Sequence, residues 1–137
     1  MTSLATPAIS WETLLKLGRV SNLPTVWTNT LAGILVAGGS WQNARIAIVI
    51  VAMSLFYEGG MFLNDYFDRE IDARERPERP IPSWEIAPAT VAAIGSSLIA
   101  AGLVLLAFLG LQALGLGLLL AAFIVGYDLH HLSLIHI

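Results

Sequence analysis

The chain contains no cysteine, and outside one short segment it contains very little charge. Without cysteine, neither a disulfide nor a cysteine-ligated metal site can form. Charged residues make up 12% of the 137 residues and apolar residues 56%, whereas a soluble domain carries about 25% charged residues. The composition therefore excludes a domain that faces water on all sides.

Basic residues are also few, and their placement argues against nucleic-acid binding and against a cleavable signal peptide. They form no stripe interleaved with aromatic side chains, so we expect no nucleic-acid partner. The first ten residues contain no basic residue ahead of an apolar run, so we expect no cleavable signal peptide.

Four apolar runs approach the roughly 20 residues that a membrane-spanning helix needs. They cover about residues 22–39, 46–63, 87–109 and 111–127. None alternates polar and apolar residues as barrel strands do, and irregular backbone cannot face lipid. The sequence therefore predicts an all-α fold, a polytopic transmembrane helix bundle with four spans.

A short amphipathic segment precedes the first run. Over residues 10–20, Trp11, Leu14, Leu15 and Gly18 recur at helical spacing, opposite Glu12, Lys16 and Arg19. Such a pattern indicates a helix that lies on the membrane surface. The alternative is a plain extension of the first span.

The basic residues also predict the orientation. Six of the seven lie on one side of the proposed spans: Lys16, Arg19, Arg69, Arg74, Arg76 and Arg79. Only Arg45 lies on the other side, and cytoplasmic loops are enriched in Lys and Arg. We therefore expect a multi-pass protein of the inner or plasma membrane, with both termini and the loop at 64–85 in the cytoplasm. The last two spans would form a tight hairpin at residues 110–112.

The end of the second run carries an acidic stripe. Asp65, Asp68 and Asp72 have i, i+3 and i+7 spacing, which places them on one face if helical geometry continues. Asn64 lies four residues before Asp68 and can join that face. Carboxylates so close together repel one another unless cations lie between them, and oxygen ligands suit Mg²⁺. The alternative is a solvated loop whose spacing is accidental.

Two further groups of residues accompany this stripe. Arg76 and Arg79 lie between prolines, and guanidinium groups hold phosphate oxygens well. Loop salt bridges and the positive-inside rule are the alternative explanation. Glu58 lies seven residues before Asp65, hence on nearly the same face but deeper in the membrane. It would line a substrate pocket or bond to a neighbouring helix.

Together these motifs resemble those of a known family. The chain contains Asn64-Asp65-x-x-Asp68-x-x-x-Asp72 and then Arg76-Pro77-x-Arg79-Pro80-Ile81-Pro82-Ser83. This order is similar to the first aspartate-rich motif and loop of the UbiA-type intramembrane prenyltransferases. Arg19-x-x-Asn22-Leu23-Pro24-Thr25 is similar to the entry of their first helix.

The resemblance implies helices around a central cavity open to lipid. It implies transfer of a prenyl group from an allylic prenyl diphosphate to an acceptor, commonly an aromatic ring, with Mg²⁺ as cofactor. The implied catalytic residues are Asp65 and Asp68. The implied metal-site residues are Asn64, Asp65, Asp68 and Asp72, and the implied substrate-binding residues are Asn22, Glu58, Arg76 and Arg79. For Asn22, a helix cap is the alternative.

The chain departs from the family pattern at three places. Ser83 is followed by Trp84 where the family usually has glycine, and Leu132 stands where a lysine is expected. The family has eight or nine spans and a second aspartate-rich motif, whereas four spans and one motif are found here. We therefore expect an N-terminal segment at 1–21, half of a transferase domain at 22–131, an atypical tail at 132–137, and no activity from this chain alone.

Two other functions fit the composition. Another Mg²⁺-dependent membrane transferase, such as a phosphatidyl-alcohol transferase, would carry glycine and alanine–arginine between its first aspartates, where this chain has Tyr66 and Phe67. A cation transporter would place polar residues deep in several spans, and Glu58 is the main one here. The sequence leaves open the oligomeric state, the prenyl chain length and the acceptor, for which a quinone precursor, a porphyrin-type ring and a lipid glycerol are the alternatives.

Overall fold

The chain folds into helices joined by short turns. A computed structural model describes residues 10–36, 38 and 45–135. Within these residues it contains no strand and a 3-10 turn at Val20–Asn22. The helices are α1 (Trp11–Gly18), α2 (Leu23–Val36), α3 (Arg45–Phe67), α4 (Arg69–Glu75), α5 (Pro88–Ala107) and α6 (Leu111–Ile135). The predicted all-α class is confirmed.

Three of the described helices are long and apolar enough to cross a membrane: Arg45–Phe67, Pro88–Ala107 and Leu111–His130. They match the runs predicted at 46–63, 87–109 and 111–127. The run at 22–39 contains α2, whose 14 residues rise about 21 Å, and its end at Gly39 lies outside the described residues. Helix α6 continues through 132–135 of the predicted tail, while residues 1–9, 136 and 137 lie outside the described part.

Helix α3 is the central element, because α1, α2, α5 and α6 all pack against it. Helices α3 and α5 approach each other closely where Gly59 meets Gly95. A Cβ built on Gly59 would lie 2.8 Å from the Gly95 carbonyl oxygen, so only glycine permits this contact. Buried side chains such as Phe56 and Ile99 fill the interface on either side. Gly59 thus allows the close packing of α3 against α5.

The connection from α5 to α6 is short. Phe108 and Leu109 form a turn, and Gly110 adopts φ 132°, a backbone conformation that favours glycine. Helix α6 then begins at Leu111. This is the tight hairpin that the sequence predicts at residues 110–112.

Helix α1 begins at a capped terminus, because the Ser10 hydroxyl accepts a hydrogen bond from the Thr13 amide at 3.1 Å. Leu17 on its inner face is fully buried in a cluster with Phe62, Ile81, Ile86 and Val91. On the outer face, Trp11 is 78% exposed and Leu15 49% exposed. The amphipathic helix predicted at 10–20 is thus present, with two large apolar side chains turned away from the protein.

Candidate functional site

The acidic stripe lies at a bend between α3 and α4. Asp68 forms the bend, yet its amide bonds the Asn64 carbonyl at 2.9 Å and its carbonyl accepts from the Asp72 amide at 2.8 Å. Because this helical bonding continues across the bend, the three aspartates remain on one inward face. Asp65, Asp68 and Asp72 are only 3%, 5% and 2% exposed, whereas Glu70 is exposed.

Asp65 is held by two arginines from distant parts of the chain. Arg19, which ends α1 in a left-handed conformation, approaches one carboxylate oxygen at 3.3 Å. Arg79, from the proline-rich loop, pairs with the other oxygen. Since a buried carboxylate is costly without partners, these two guanidinium groups are the local reason that Asp65 can be buried.

The other two aspartates have partners close in sequence. The Asn64 side-chain amide donates to Asp68 Oδ2 at 3.3 Å. The Arg76 guanidinium lies 2.8 Å from Asp72 Oδ1 across one helical turn, and the arginine side chain is 51% exposed. Arg76 and Arg79, for which the sequence predicts phosphate binding, thus both contact the acidic stripe.

The donor set can be tested directly against Mg²⁺. No group of three acidic or histidine side chains among the described residues is close enough to enclose a metal ion. Mg²⁺ rarely uses such an all-protein cage and is usually held by one or two carboxylates together with substrate phosphates and water. Asp68 provides such a carboxylate, and the Asn64 side-chain amide lies beside it, so the residues present fit Mg²⁺ in type.

Asn22 and Glu58 lie near the stripe but contact other residues. Asn22 follows Arg19 in the 3-10 turn, and its side-chain amide donates to the Tyr57 hydroxyl at 3.0 Å. The Glu58 carboxylate packs against Gly18 of α1, where any Cβ would collide with it. Its Oε1 is buried and has no hydrogen-bond partner among the described residues.

A cavity of about 320 Å³ lies between α3 and α6. Its lining is mostly apolar, with polar groups at one end. The lining residues are Phe56, Tyr57, Gly60, Met61, Asn64, Phe123, Ile124, Tyr127 and Asp128. Asn64 therefore belongs both to the cavity wall and to the acidic stripe. Glu58 does not line this cavity.

Asp128 is the residue that sequence reasoning missed. It is 4% exposed, and near the end of α6 it lines the same cavity as Asn64. An acidic residue inside an otherwise apolar span is itself a functional signal, and this signal was available in the sequence. His130 is exposed, and the side chain of His131 lies outside the described residues.

Trp84, which stands where the family pattern usually has glycine, has an unusual backbone conformation. Trp84 adopts φ 62°, a left-handed conformation, and its side chain is 72% exposed. Its amide bonds the Ile81 carbonyl at 3.1 Å, which closes the turn. The tryptophan thus occupies a backbone geometry that glycine would adopt without strain.

Comparison with known proteins defines the class to which this chain belongs. The model of the UbiA prenyltransferase family matches residues 26–135. The chain therefore belongs to the UbiA prenyltransferase family, and its apolar helices are those of an integral membrane protein.

Two curated relatives carry the same name, digeranylgeranylglyceryl phosphate synthase. The protein from Methanothrix thermoacetophila is 38% identical over 108 residues, which cover 78% of this chain and 40% of the relative. The protein from Natronomonas pharaonis is 33% identical over 114 residues, or 83% of this chain and 41% of the relative. The chain thus spans about 40% of the length of these relatives.

A solved structure extends the likeness to three dimensions. It is described as giving insight into digeranylgeranylglyceryl phosphate synthase in membranes, and it superimposes with a TM-score of 0.78 at 30% identity. The similarity covers 85% of this chain and 42% of that structure.

Proposed function

We propose that the protein to which these residues belong transfers a prenyl group from a prenyl diphosphate to a prenylated glyceryl phosphate. The acceptor follows from the names of the two relatives, whose product carries two geranylgeranyl groups on one glyceryl phosphate. This acceptor replaces the aromatic ring that the resemblance alone implied.

One observation carries the proposal most directly. Asn64 lines the apolar cavity and also donates to Asp68. A prenyl chain in the cavity would therefore end beside the buried carboxylates, where its diphosphate would meet Arg76 and Arg79. An apolar cavity with a few polar groups at one end is the usual form of a site for such an amphiphilic ligand.

The bond changes are those of a substitution at the allylic carbon. The bond from that carbon to the diphosphate oxygen breaks, and the electron pair leaves with the diphosphate. A glyceryl hydroxyl oxygen forms the new bond, and its proton passes to a base or to water. Asp68 and Asn64 would hold Mg²⁺ beside Asp65 and Asp72, and the ion would supply positive charge that stabilises the departing diphosphate.

The residues of this chain contribute three effects. Arg76 and Arg79 would hold phosphate oxygens at the loop, because guanidinium groups can bind them in a bidentate manner. The apolar wall formed by residues such as Phe56 and Ile124 would exclude water from the reacting carbon. Asn22, which donates to Tyr57 at the cavity wall, would orient one edge of the site.

A chimaera tests the proposed reaction. Residues 10–135 would replace the matching part of the Methanothrix thermoacetophila relative, and prenyl transfer would be measured in membranes with Mg²⁺. We expect transfer to a prenylated glyceryl phosphate and none to an aromatic acid. Transfer to the aromatic acid alone would overturn the proposal.

The chain of 137 residues provides the companion measurement. It holds one aspartate-rich motif, and the helix faces of α6 are largely exposed. We expect no prenyl transfer when it is reconstituted by itself in the same membranes. Turnover by this chain would contradict that expectation and would indicate that two copies assemble one site.

A further inference from the structure

An open groove lies beside the acidic stripe and is separate from the apolar cavity. Its volume is about 600 Å³, and it is lined by Leu15, Lys16, Arg19, Val20, Ser21 and Asn22. These residues come from the end of α1 and from the 3-10 turn that follows it. Two cations, a hydroxyl and an amide thus converge on one concave surface.

The cations of this groove retain capacity for a ligand. Lys16 lies 3.9 Å from Glu85, which is at the outer limit of an ion pair, and its side chain is 55% exposed. Arg19 uses one terminal nitrogen for Asp65 at 3.3 Å and the other for the Met61 sulfur at 3.4 Å. A guanidinium group carries five N–H donors, so Arg19 can bind an anion in the groove while it contacts Asp65.

We propose that this groove binds the phosphate monoester of the glyceryl phosphate acceptor, a role that rests on the proposed function above. Lys16 and Arg19 offer positive charge to a phosphate monoester while they keep their contacts with Glu85 and Asp65. The Ser21 hydroxyl and the second N–H of the Asn22 amide, whose first donates to Tyr57, add neutral donors. Leu15 and Val20 offer an apolar wall for the chain already attached to the glycerol.

The position of Arg19 supplies the geometric argument. Its guanidinium joins the groove to Asp65, so an anion bound there lies within one arginine head group of the acidic stripe. An acceptor phosphate in the groove would therefore place the glyceryl hydroxyl on the side where the prenyl diphosphate is expected, without competing for Arg76 or Arg79.

The chain offers a sharp chemical probe, because Lys16 is its single lysine. The 137-residue protein in phosphatidylcholine nanodiscs would be acetylated with an amine reagent, and mass spectrometry would compare Lys16 with the N-terminal amine. We expect a glyceryl phosphate bearing one geranylgeranyl chain to slow acetylation of Lys16. The same lipid without its phosphate should leave Lys16 fully reactive.

Binding variants complete the test. Lys16→Gln should weaken binding of the phosphorylated lipid about tenfold, the size expected for one charge-assisted hydrogen bond at a half-exposed site. Lys16→Arg should restore the affinity. Arg74→Gln is the matched control, because it removes an exposed charge of α4 outside the groove. Equal losses of affinity in Lys16→Gln and Arg74→Gln would mean that binding depends only on the total charge of the protein, and would overturn the proposal.

Two further measurements distinguish the acceptor phosphate from other sources of a phosphate group. Nanodiscs of phosphatidylglycerol, or inorganic phosphate in solution, should not protect Lys16 as the phosphorylated acceptor does. Equal protection by phosphatidylglycerol would make the groove a lipid head-group site and overturn the acceptor assignment. This measurement needs no turnover. If the chimaera is active but the phosphorylated lipid does not protect Lys16 from acetylation, the groove assignment is refuted and the proposed function stands. If Lys16 is protected but the chimaera transfers prenyl groups only to an aromatic acid, the proposed function is refuted.

Discussion

Asp65 shows how a carboxylate can remain buried at the end of a membrane helix. It is 3% exposed, and its two oxygens are compensated by Arg19 from the N-terminal segment and Arg79 from the proline-rich loop. Loss of one partner of a buried ion pair costs about 3–5 kcal/mol, because the remaining charge is left uncompensated. The folded state therefore links three separate parts of the sequence through one side chain.

The contribution of Asp68 can be tested by a change that keeps size and removes charge. In the active chimaera, Asp68→Asn should lower turnover by about 100-fold or more, or roughly 2.7 kcal/mol of barrier, because charge on the departing diphosphate would be less neutralised. Membrane insertion should be unaffected. The measurement is the rate of prenyl transfer at saturating Mg²⁺.

Glu70→Gln is the matched control, since Glu70 is exposed and lies outside the buried stripe. It should retain nearly full activity. Similar losses in both variants would mean that the segment tolerates no change of charge. Full Mg²⁺-dependent activity in Asp68→Asn would refute the metal-site assignment.

For individual residues, the sequence predicts which side chains form the acidic stripe better than it predicts which residues those side chains contact. The spacing of Asp65, Asp68 and Asp72 sufficed to place them on one face, because helical periodicity is a local property. The contact between Arg19 and Asp65 joins residues 46 apart, and no local pattern encodes it. Asp128 stands out in the sequence as an acidic residue in an apolar span, but only the packing of α6 against α3 shows that it lines the same cavity as Asn64.

At the scale of elements, the loop between α4 and α5 carries a measurable strain. Trp84 adopts φ 62°, and a left-handed conformation costs a residue other than glycine about 1–2 kcal/mol. Trp84→Gly should therefore raise the free energy of unfolding by roughly 0.5–1 kcal/mol, after the greater freedom of glycine in the unfolded chain is subtracted.

Unfolding of the reconstituted protein by denaturant would measure this gain. Trp84→Ala is the control, because alanine retains the Cβ and should give no such stabilisation. A gain of equal size in Trp84→Ala would mean that the exposed indole ring, not the backbone conformation, destabilises the loop.

The contact between α3 and α5 gives a second prediction at this scale. A Cβ on Gly59 would lie 2.8 Å from the Gly95 carbonyl oxygen, so Gly59→Ala should force the helices apart. We expect a loss of about 1–3 kcal/mol, as for other overpacked interiors. Gly115→Ala in α6, where nothing lies within 4 Å, should be neutral or slightly stabilising. Equal stability of the two variants in detergent unfolding would contradict this close packing.

For the whole molecule, the basic residues predict the orientation in the membrane. Because the chain has no cysteine, single cysteines can be placed at Ser40 and Ser83 without background labelling. Ser83 is exposed in the loop beside α5, and Ser40 lies outside the described residues. An impermeant thiol reagent should reach Ser83→Cys from the cytoplasmic side and Ser40→Cys from the opposite side. Labelling of both from one side would refute the predicted topology.

The burial of α1 has a consequence for the order of assembly during synthesis. Thr13 bonds Glu85, 72 residues later, and Leu17 is buried by Ile81, Ile86 and Val91. At about 5–20 residues per second, a ribosome needs roughly 4–14 s to make those partners after α1 has emerged. Of the buried side chains around Leu17, only Phe62 of α3 is made earlier. The packing of α1 is therefore completed only after the loop and the start of α5 have been made, later than the helices α2 and α3 that precede them.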